Sequence, residues 1–317
     1  MEYIRPQQAE VRQEQDVSDV FRAQLNDFAY TDKANKHSTL SIEILKRQEA
    51  PGTAPGTAEA ARLFNDALTS RIERLPAEEK DAFPSLVTAT AASIDTLLAA
   101  RDPVRSMVKN NNVRGAEQQQ LGVIKQSDQI PAKALLLGVR AVKDALNETD
   151  DEDVRARLKE KQTALQQTLA LPFTERFRLA AMQLSQRKLE DAEKTLEEAL
   201  KVKLPPHVLE NESIRNLIGY ALAERRHLET TRSIPKFTRE RFSSVAGSDG
   251  YMSQEELSSA LAKSQFNELE KRIIAFMIKE YDKLIDMKND GFFRNAKGIS
   301  KRDLEQYWES TRPGEFR

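Results

Sequence analysis

The sequence predicts an all-α protein: a flexible N-terminal arm, an irregular helical bundle, and a C-terminal module of paired helix-loop-helix units. Three observations predict this fold class. Apolar residues recur every three or four positions over long stretches, which is the period of one face of a helix. Prolines interrupt these stripes and divide them into separate helices. Charged residues make up 31% and hydrophobic residues 39% of the chain, which is typical of a charge-rich soluble protein with modest cores.

Residues 1–57 are predicted to form a loosely held arm and a linker. The segment SIEILKRQ permits one or two helical turns, and scattered apolar residues permit one short amphipathic helix before it: Val17, Val20, Phe21, Leu25 and Phe28. A duplicated Pro-Gly-Thr tract follows. Because proline removes a hydrogen-bond donor and glycine adds backbone entropy, we place the linker at 50–57.

Residues 58–231 are predicted to form the helical bundle. Pro76 ends the first helix, the second runs from Pro84 to Pro103, the asparagine-rich segment 107–115 is a predicted loop, and a third helix starts at Pro131. The apolar stripes of these helices are Ala60, Phe64, Ala67, Leu68, Ile72 and Leu75; Leu86, Val87, Ala91, Ile94, Leu97 and Leu98; and Leu135, Leu136, Val139, Val142 and Leu146.

An acidic run, Glu148–Asp153, precedes the next helix of the bundle. Such a run is compatible with a metal site or with the N-terminal end of a helix. Acidic side chains at that end accept hydrogen bonds from free amides and oppose the positive end of the helix dipole. We therefore favour helix capping.

Residues 173–206 are predicted to form a helical hairpin. Three small residues would let its helices approach closely: Ala180, Ala192 and Ala199. The segment resembles a single tetratricopeptide-type hairpin. The resemblance is carried by these three residues together with Leu179, Leu196 and Leu200. Arg176 and Gln183 stand where that family usually has large aromatic residues, and the next segment does not repeat the pattern. Since repeat arrays need about three units to bury their faces, we predict one hairpin within a bundle.

A basic stretch at 225–241 directly follows Glu224 and is interrupted by Glu229 and Glu240. We interpret it as a solvated helix end and connector, with contact to an anionic surface as the alternative. The chain as a whole has a net charge of −1, so no global electrostatic field favours nucleic acid or an anionic membrane.

The C-terminal module, residues 236–317, contains two copies of one pattern. Each copy has a glycine turn, a hydrophobic residue, a serine, and an acidic residue directly before a leucine. The first copy consists of Gly250, Met252, Ser253 and Glu256, and the second of Gly291, Ile299, Ser300 and Asp303. On these residues the stretch 242–308 resembles a pair of EF-hands, in which oxygen ligands of a loop of about twelve residues bind a hard cation.

The resemblance implies a role for each of these residues. The hydrophobic residues of the two loops, Met252 and Ile299, would pair through a short β-bridge, and the serines would cap the exit helices. Ca²⁺ is the implied cofactor. The implied oxygen ligands are Ser248, Asp249 and Glu256 in the first loop, and Asp286, Asp290 and Asp303 in the second.

Both loops depart from the family pattern. Ala246 stands at the first position of the first loop, Lys288 replaces a ligand in the second, residues 293–298 are inserted there, and Asp303 replaces the final glutamate. An aspartate reaches less far and favours weaker binding or a smaller ion. Two alternatives follow: a paired scaffold that binds no ion, or a site with weak calcium affinity.

A strongly apolar stripe lies between the two loops. It packs either in the core of the module or against a target helix, and the core is favoured. Its residues are Phe266, Leu269, Ile273, Phe276, Met277, Tyr281 and Leu284.

Several function classes are disfavoured by composition. The chain has no cysteine, which excludes disulfides, zinc–thiolate sites and thiol nucleophiles. Its three histidines, His37, His207 and His227, are scattered without the spacing of a catalytic relay. The N-terminus lacks the apolar core of a secretory signal, and the longest apolar run near mid-chain, 134–139, is too short to span a bilayer.

We therefore expect a non-enzymatic, cytoplasmic interaction protein whose C-terminal module docks a protein partner or its own bundle. We expect no nucleic acid or membrane as partner. The first alternative is a genuine calcium sensor or buffer. The second is an enzyme whose active site is assembled from distant residues and leaves no visible motif.

Overall fold

The computed structural model describes residues 17–31, 33–48, 54–285 and 298–311. Within these ranges the regular elements are helices, apart from one isolated antiparallel β-bridge between Met252 and Ile299. The predicted all-α class is confirmed for this part of the chain.

The described residues group into two compact units, which do not coincide with the predicted domain boundaries. Unit 1 falls within Met1–Gln186 and Lys194–Leu222, and unit 2 within Arg187–Glu193 and Ala223–Arg317. The predicted boundary at 231–236 lies inside a single long helix, so the second unit begins earlier than expected.

The helices are numbered in chain order. They are α1 (Val17–Asn26), followed by a π-helical segment at Asp27–Thr31, α2 (Lys33–Lys46), α3 (Thr57–Glu73), α4 (Ala77–Lys109), α5 (Val113–Asp128), α6 (Ala132–Asn147), α7 (Glu152–Leu169), α8 (Leu171–Ser185), α9 (Leu189–Leu200), α10 (Glu212–Val245), α11 (Gln254–Leu261), α12 (Glu268–Lys279), α13 (Tyr281–Ile285) and α14 (Lys301–Thr311).

Unit 1 buries a continuous apolar core. Helix α6 packs against α3 and α7, and α7 also packs against α2. The apolar stripes predicted for the first and third helices face this core, because a stripe with a period of 3.6 residues covers one side of a helix. Fully buried side chains of the core include Phe64, Leu68, Leu135, Val139, Val142, Leu158 and Leu165.

Helix α2 belongs to this core, so the expectation of a loosely held arm does not hold for it. Ile44 and Leu45 are buried among the core residues, and Ser41 Oγ lies 2.8 Å from Thr168 Oγ1 of α7. A short amphipathic segment is marginal as an isolated helix, and here α6 and α7 supply the burial that stabilises it. Residues 1–16 and 49–53 of the predicted arm and linker lie outside the described residues.

The end of the predicted linker is held closely against α7. Gly56 has a φ of 75°, which L-residues other than glycine rarely adopt. A Cβ atom at this position would lie 2.6 Å from the backbone nitrogen of Val154. The second glycine of the Pro-Gly-Thr tract therefore permits a close approach of two backbone segments.

Helix α4 continues through two prolines that were predicted as boundaries. It contains both Pro84 and Pro103. A proline inside a helix costs about 3 kcal/mol or more, whereas each fully buried large apolar side chain contributes about 1.5–3 kcal/mol. Packing offsets the cost of the prolines because α4 buries Phe83, Val87, Ile94, Leu97 and Val104.

Helix α5 was not predicted at all. The expected loop at 107–115 is reduced to a connection at 110–112, and the Asn112 side chain accepts a hydrogen bond from the Gly115 amide at 3.1 Å to cap α5. The helix is rich in glutamine, so its apolar stripe is weak. Its buried residues are Ala116, Gln120, Val123, Ile124 and Ser127.

Among the described helices, α4 is long and apolar enough by length and composition to cross a membrane. Core helices meet the same criteria, so one such helix is weak evidence for a membrane span. In this structure α4 packs against α2, α5 and α6, and it buries Arg101 completely.

The acidic run before α7 caps that helix, as favoured from the sequence. Asp151 Oδ1 accepts a hydrogen bond from the Val154 amide at 3.0 Å. Glu152 and Asp153 occupy the first turn, where negative charge is stabilising. The helix-capping interpretation is confirmed.

The predicted hairpin at 173–206 corresponds to helices α8 and α9, separated by a turn in which Arg187 has a φ of 58°. Its three small residues, Ala180, Ala192 and Ala199, are each completely buried. The tetratricopeptide resemblance stays a prediction.

Unit 2 has its own apolar core, which contains most of the stripe predicted between the two loops. Phe266, Ile273, Met277 and Leu284 are buried in it, and Leu269, Phe276 and Tyr281 pack against it. The Phe276 and Tyr307 rings lie 5.6 Å apart between centroids. The stripe therefore serves as core, which was the favoured interpretation.

The basic stretch lies inside α10 rather than in a connector. Two of its arginines pair with glutamates of the same unit: Arg232 Nε lies 3.1 Å from Glu193 Oε2, and Arg241 Nε lies 2.7 Å from Glu270 Oε1. The other exposed cations of this stretch include Arg226, Lys236 and Arg239.

Candidate functional site

The first loop of the duplicated pattern leaves α10 and turns at Gly250. The Gly250 amide donates to the Gly247 carbonyl at 3.2 Å, and Gly250 has a φ of 79°. Asp249 Oδ1 accepts a hydrogen bond from the Tyr251 amide at 3.1 Å. The turn thus uses a glycine where a left-handed conformation is required and an aspartate that satisfies a loop amide.

The two loops meet at Met252 and Ile299, which is the pair that the EF-hand resemblance implies. The Met252 amide donates to the Ile299 carbonyl at 2.9 Å, and the Ile299 amide donates to the Met252 carbonyl at 3.0 Å. Both side chains are completely buried. A Cβ atom on Gly298 would lie 2.5 Å from the Met252 carbonyl oxygen, so the bridge requires a glycine before Ile299.

Each loop ends in a reciprocal pair of side chain–backbone hydrogen bonds at the start of the next helix. In the first loop, Glu256 Oε2 accepts from the Ser253 amide at 2.9 Å, and Ser253 Oγ accepts from the Glu256 amide at 3.2 Å. In the second, Asp303 Oδ2 accepts from the Ser300 amide at 2.7 Å, and Ser300 Oγ accepts from the Asp303 amide at 3.3 Å. The two copies therefore share the geometry of a capping box.

In each capping box one carboxylate oxygen takes no part, Glu256 Oε1 in the first copy and Asp303 Oδ1 in the second. The surroundings of these two oxygens differ. A Cβ atom at Gly247 would lie 2.3 Å from Glu256 Oε1 and 3.7 Å from Asp249 Oδ1, so these two carboxylates face the same small space. Asp303 is 4% exposed, and its Oδ1 atom is buried without a hydrogen-bond partner among the described residues. Buried polar atoms are normally satisfied, so each leftover oxygen has capacity for a further donor or a cation.

The remaining predicted ligands are not brought into a cluster by the described part of the chain. Ser248 is exposed, and Asp286 and Asp290 lie outside the described residues. Within the described ranges, no three histidine, cysteine or acidic side chains are grouped closely enough to hold a metal ion. The structure therefore leaves the calcium prediction for the second loop untested.

A depression of about 480 Å³ lies between the end of α10, the first loop and the start of α14. Its lining includes Phe242, Ser243, Tyr251, Lys301 and Arg302. Lys301 Nζ lies 5.4 Å from the centroid of the Phe242 ring, a distance at which a cation is attracted to an aromatic face.

Glu270 and Tyr307, in the same unit, have shifted pKa values. Burial would raise the pKa of Glu270, but the Asn267 amide and Arg241 outweigh that effect and lower it. Burial raises the pKa of Tyr307 to about 12, and the charge of Glu280 acts in the same direction. Glu270 is therefore anionic and Tyr307 is neutral at physiological pH.

A buried polar cluster in unit 1 was not predicted. The Glu175 carboxylate accepts hydrogen bonds from Arg101, from Arg178 Nη1 at 2.5 Å and from Gln120 Nε2 at 2.8 Å. Arg101 also donates to Asn35 Oδ1 at 2.8 Å. The cluster joins α2, α4, α5 and α8.

The charges of this cluster are stabilised by one another. Burial alone would raise the pKa of Glu175, but the charges of Arg101 and Arg178, with the hydrogen bonds from Arg101 and Gln120, lower it to about 2. Arg101, Gln120 and Glu175 are completely buried, so we assign the cluster a structural role. One sequence signal pointed to it: Arg101 falls four residues after Leu97, on the apolar stripe of α4.

Comparisons of the chain with protein-family models, curated proteins and solved structures found no match. Function is therefore inferred from the paired loops and their surroundings.

Proposed function

We propose that the chain is a non-enzymatic, cytoplasmic interaction protein whose C-terminal module is a degenerate EF-hand-like pair that docks a protein partner. The bridge between Met252 and Ile299, joining two loops that end in equivalent capping boxes, is the observation that carries this proposal. A paired scaffold of this kind is independent of ion binding, because backbone hydrogen bonds and buried apolar residues hold it together.

The ligand composition of the loops supports docking rather than tight calcium binding. A tight site needs several carboxylates to offset the desolvation of a divalent ion. The first loop offers Asp249 and Glu256, and the capping box already uses one oxygen of Glu256. We therefore propose that calcium binding is weak and that the paired loops serve mainly as a rigid platform.

An affinity experiment in the source cells tests the docking function. Tagged full-length wild type is compared with the Ile299→Asp variant, which places a charge at a completely buried bridge position. Leu261→Asp is the matched control, because Leu261 is 36% exposed in the same unit. We expect specific partners to be retained by wild type and by Leu261→Asp, with or without calcium, and lost from Ile299→Asp. Identical protein sets from all three would contradict the proposal.

A genuine calcium sensor or buffer is the second candidate. Two observations favour it: Asp249 and Glu256 face one space beside Gly247, and Asp303 keeps a buried oxygen without a partner among the described residues. A calorimetric calcium titration of the full chain, with Trp308 fluorescence as a second signal, tests it. Absence of heat and of a fluorescence change at millimolar calcium would rule it out.

Two variants separate the loops in that titration. Glu256→Gln should remove binding by the first loop, and the double substitution Asp286→Ala and Asp290→Ala should remove binding by the second. If both variants bind calcium as wild type does, the ion sits elsewhere and the alternative fails.

A further inference from the structure

Two cations line the depression between α10, the first loop and α14, and two more lie on the row of α10 residues that leads to it. Lys301 and Arg302 line it, and both are exposed. On α10, Lys236 and Arg239 are exposed and lead to Ser243, which also lines the depression. Because helix positions three and four residues apart share one face, Lys236, Arg239 and Ser243 form one row that ends at the depression.

None of these four cations forms a close ion pair with a described carboxylate, although the charge of Lys236 helps to lower the pKa of Glu270. Two neighbouring arginines, in contrast, form close ion pairs. Arg241 lies 2.7 Å from Glu270, and Arg272 lies 2.9 Å from Glu229.

The acidic groups around this surface are Asp249 in the wall of the depression, Glu256 beside Gly247, Glu240 on α10, and Glu270. Since Arg241 pairs with Glu270, the four cations face three further carboxylates, and a small excess of positive charge remains.

The charge at the start of α14 works against the stability of that helix. A helix N-terminus carries the positive end of the dipole, so cations in the first turn are unfavourable there. At the positions equivalent to Lys301 and Arg302, helix α11 of the first copy has Gln254 and Glu255, and each helix has an acidic residue at the next position, Glu256 or Asp303. Both helices share the same serine cap, so helix formation does not account for Lys301 and Arg302, and we attribute them to binding.

We propose that this cationic surface binds an acidic peptide segment of a partner protein. Glutamate or aspartate side chains would pair with Lys236, Arg239, Lys301 and Arg302, and an apolar side chain would rest against Tyr251. The proposal rests on the proposed docking function, since it names the chemistry of the partner for the same module. Lys236 and Ser243 lie about 10 Å apart along the helix axis, which an extended peptide spans with about three residues.

The shape of the surface favours a peptide over other polyanions. The site is a small concavity beside a helix row, whereas a bilayer presents a flat surface. Binding to duplex DNA relies on many phosphate contacts, for example about six to ten, and the four cations here provide fewer. Binding to single strands relies on exposed aromatic side chains for stacking, and Tyr251 is half-buried.

Fluorescence anisotropy with full-length protein and a fluorescein-labelled glutamate-rich peptide of sequence EEELEEEE tests the proposal. We expect binding at low salt that weakens as sodium chloride is added, because exposed charges are screened. The Lys301→Glu/Arg302→Glu variant should bind at least about tenfold more weakly. It should remain folded, because acidic residues suit the first turn of α14, and Trp308 fluorescence provides the check.

The matched control is Lys109→Glu/Lys125→Glu, which changes the net charge equally at two exposed lysines of unit 1. It should bind the peptide as wild type does, and a KKKLKKKK peptide should not bind. No binding at low salt, or an equal loss in both double variants, would overturn the proposal. So would binding to phosphatidylserine vesicles that depends on Lys301 and Arg302 when the peptide does not bind.

The two proposals fail separately. If the peptide does not bind but Ile299→Asp still loses its cellular partners, only the acidic chemistry of the partner is wrong. If Ile299→Asp loses no partner, the docking function itself is wrong whatever the peptide does.

Discussion

The Met252 and Ile299 backbones exchange two hydrogen bonds, of 2.9 Å and 3.0 Å. This is the single β-bridge among the described residues. It joins two loops, and both of its side chains are completely buried. The C-terminal core therefore depends on a contact made outside any helix.

The bridge predicts a strong effect of adding one methyl group at Gly298. In Gly298→Ala, the new Cβ would lie 2.5 Å from the Met252 carbonyl oxygen, and relieving that overlap should destabilise unit 2 by about 1–3 kcal/mol. Thermal unfolding followed by Trp308 fluorescence measures this, because Trp308 lies on α14. Gly122→Ala is the control: nothing lies within 4 Å of its Cβ, and it should be stabilising by about 0.5–1 kcal/mol. An unchanged midpoint for Gly298→Ala would show that the loops are not paired as described.

The capping boxes predict equal effects at equivalent serines. Ser253→Ala and Ser300→Ala each remove the acceptor for an amide at the start of a helix, and each should cost about 1 kcal/mol. Chemical denaturation with Trp308 fluorescence measures the loss. Ser259→Ala, at an exposed interior position of α11, should cost less than about 0.5 kcal/mol. A cap variant that behaves like Ser259→Ala would mean that its serine does not cap the helix in solution.

Removing the charge of Glu175 should strongly destabilise unit 1. Glu175→Gln leaves Arg101 and Arg178 without their shared carboxylate, and breaking a buried pair in this way costs about 3–5 kcal/mol. The control is Glu160→Gln, which removes a surface pair with Arg157 at 2.9 Å in which the glutamate side chain is 60% exposed. That change should cost less than about 1 kcal/mol. Denaturation followed by circular dichroism measures the loss in free energy of unfolding. Similar losses for the two variants would show that Glu175 does not form a buried ion pair in solution.

Glu175 also predicts a pH dependence with a definite sign. Its pKa falls from 4.5 to about 2 in the folded state. The ionised carboxylate therefore contributes fully to the free energy of unfolding above pH 4.5, and this contribution is lost as the pH falls towards 2. The stability difference between wild type and Glu175→Gln should therefore shrink across that interval. Melting temperatures of both proteins at a series of pH values test this, and a constant difference would contradict it.

Lys161 predicts a stabilising substitution. It is 4% exposed, its Nζ lies 5.9 Å from the Phe64 ring centroid, and burial lowers its pKa from 10.5 to about 8. Lys161→Met keeps the apolar stem without the buried charge and should raise stability at pH 7 by about 1–3 kcal/mol.

The advantage of Lys161→Met should decrease as the pH rises from 8 to 10.5, because folded wild type then loses its proton before the unfolded chain does. Thermal melts at several pH values measure this. The control is Lys159→Met, at an exposed position two residues earlier, which should leave stability nearly unchanged. A destabilising Lys161→Met would show that the contacts of the ammonium group outweigh its desolvation.

Much of the local organisation was predictable from the sequence. The helical period located the core stripes of α3 and α6 and the stripe at 266–284, and the acidic run located the cap of α7. The pairing of Met252 with Ile299 was implied by the EF-hand resemblance, and the structure contains that bridge. The EF-hand resemblance and calcium binding stay predictions, since Asp286 and Asp290 lie outside the described residues.

The tertiary structure decided the features that depend on contacts distant in the chain. Helix α2 is stabilised by packing against α6 and α7. Helix α4 remains helical through its two prolines because its buried side chains offset their cost. Arg101 and Glu175 are 74 residues apart in sequence, so no local pattern shows that each neutralises the other. By itself the sequence determined which faces of its helices are apolar. Only packing could determine which faces meet, because the free energy of a buried charge or a short helix depends on the partner that covers it.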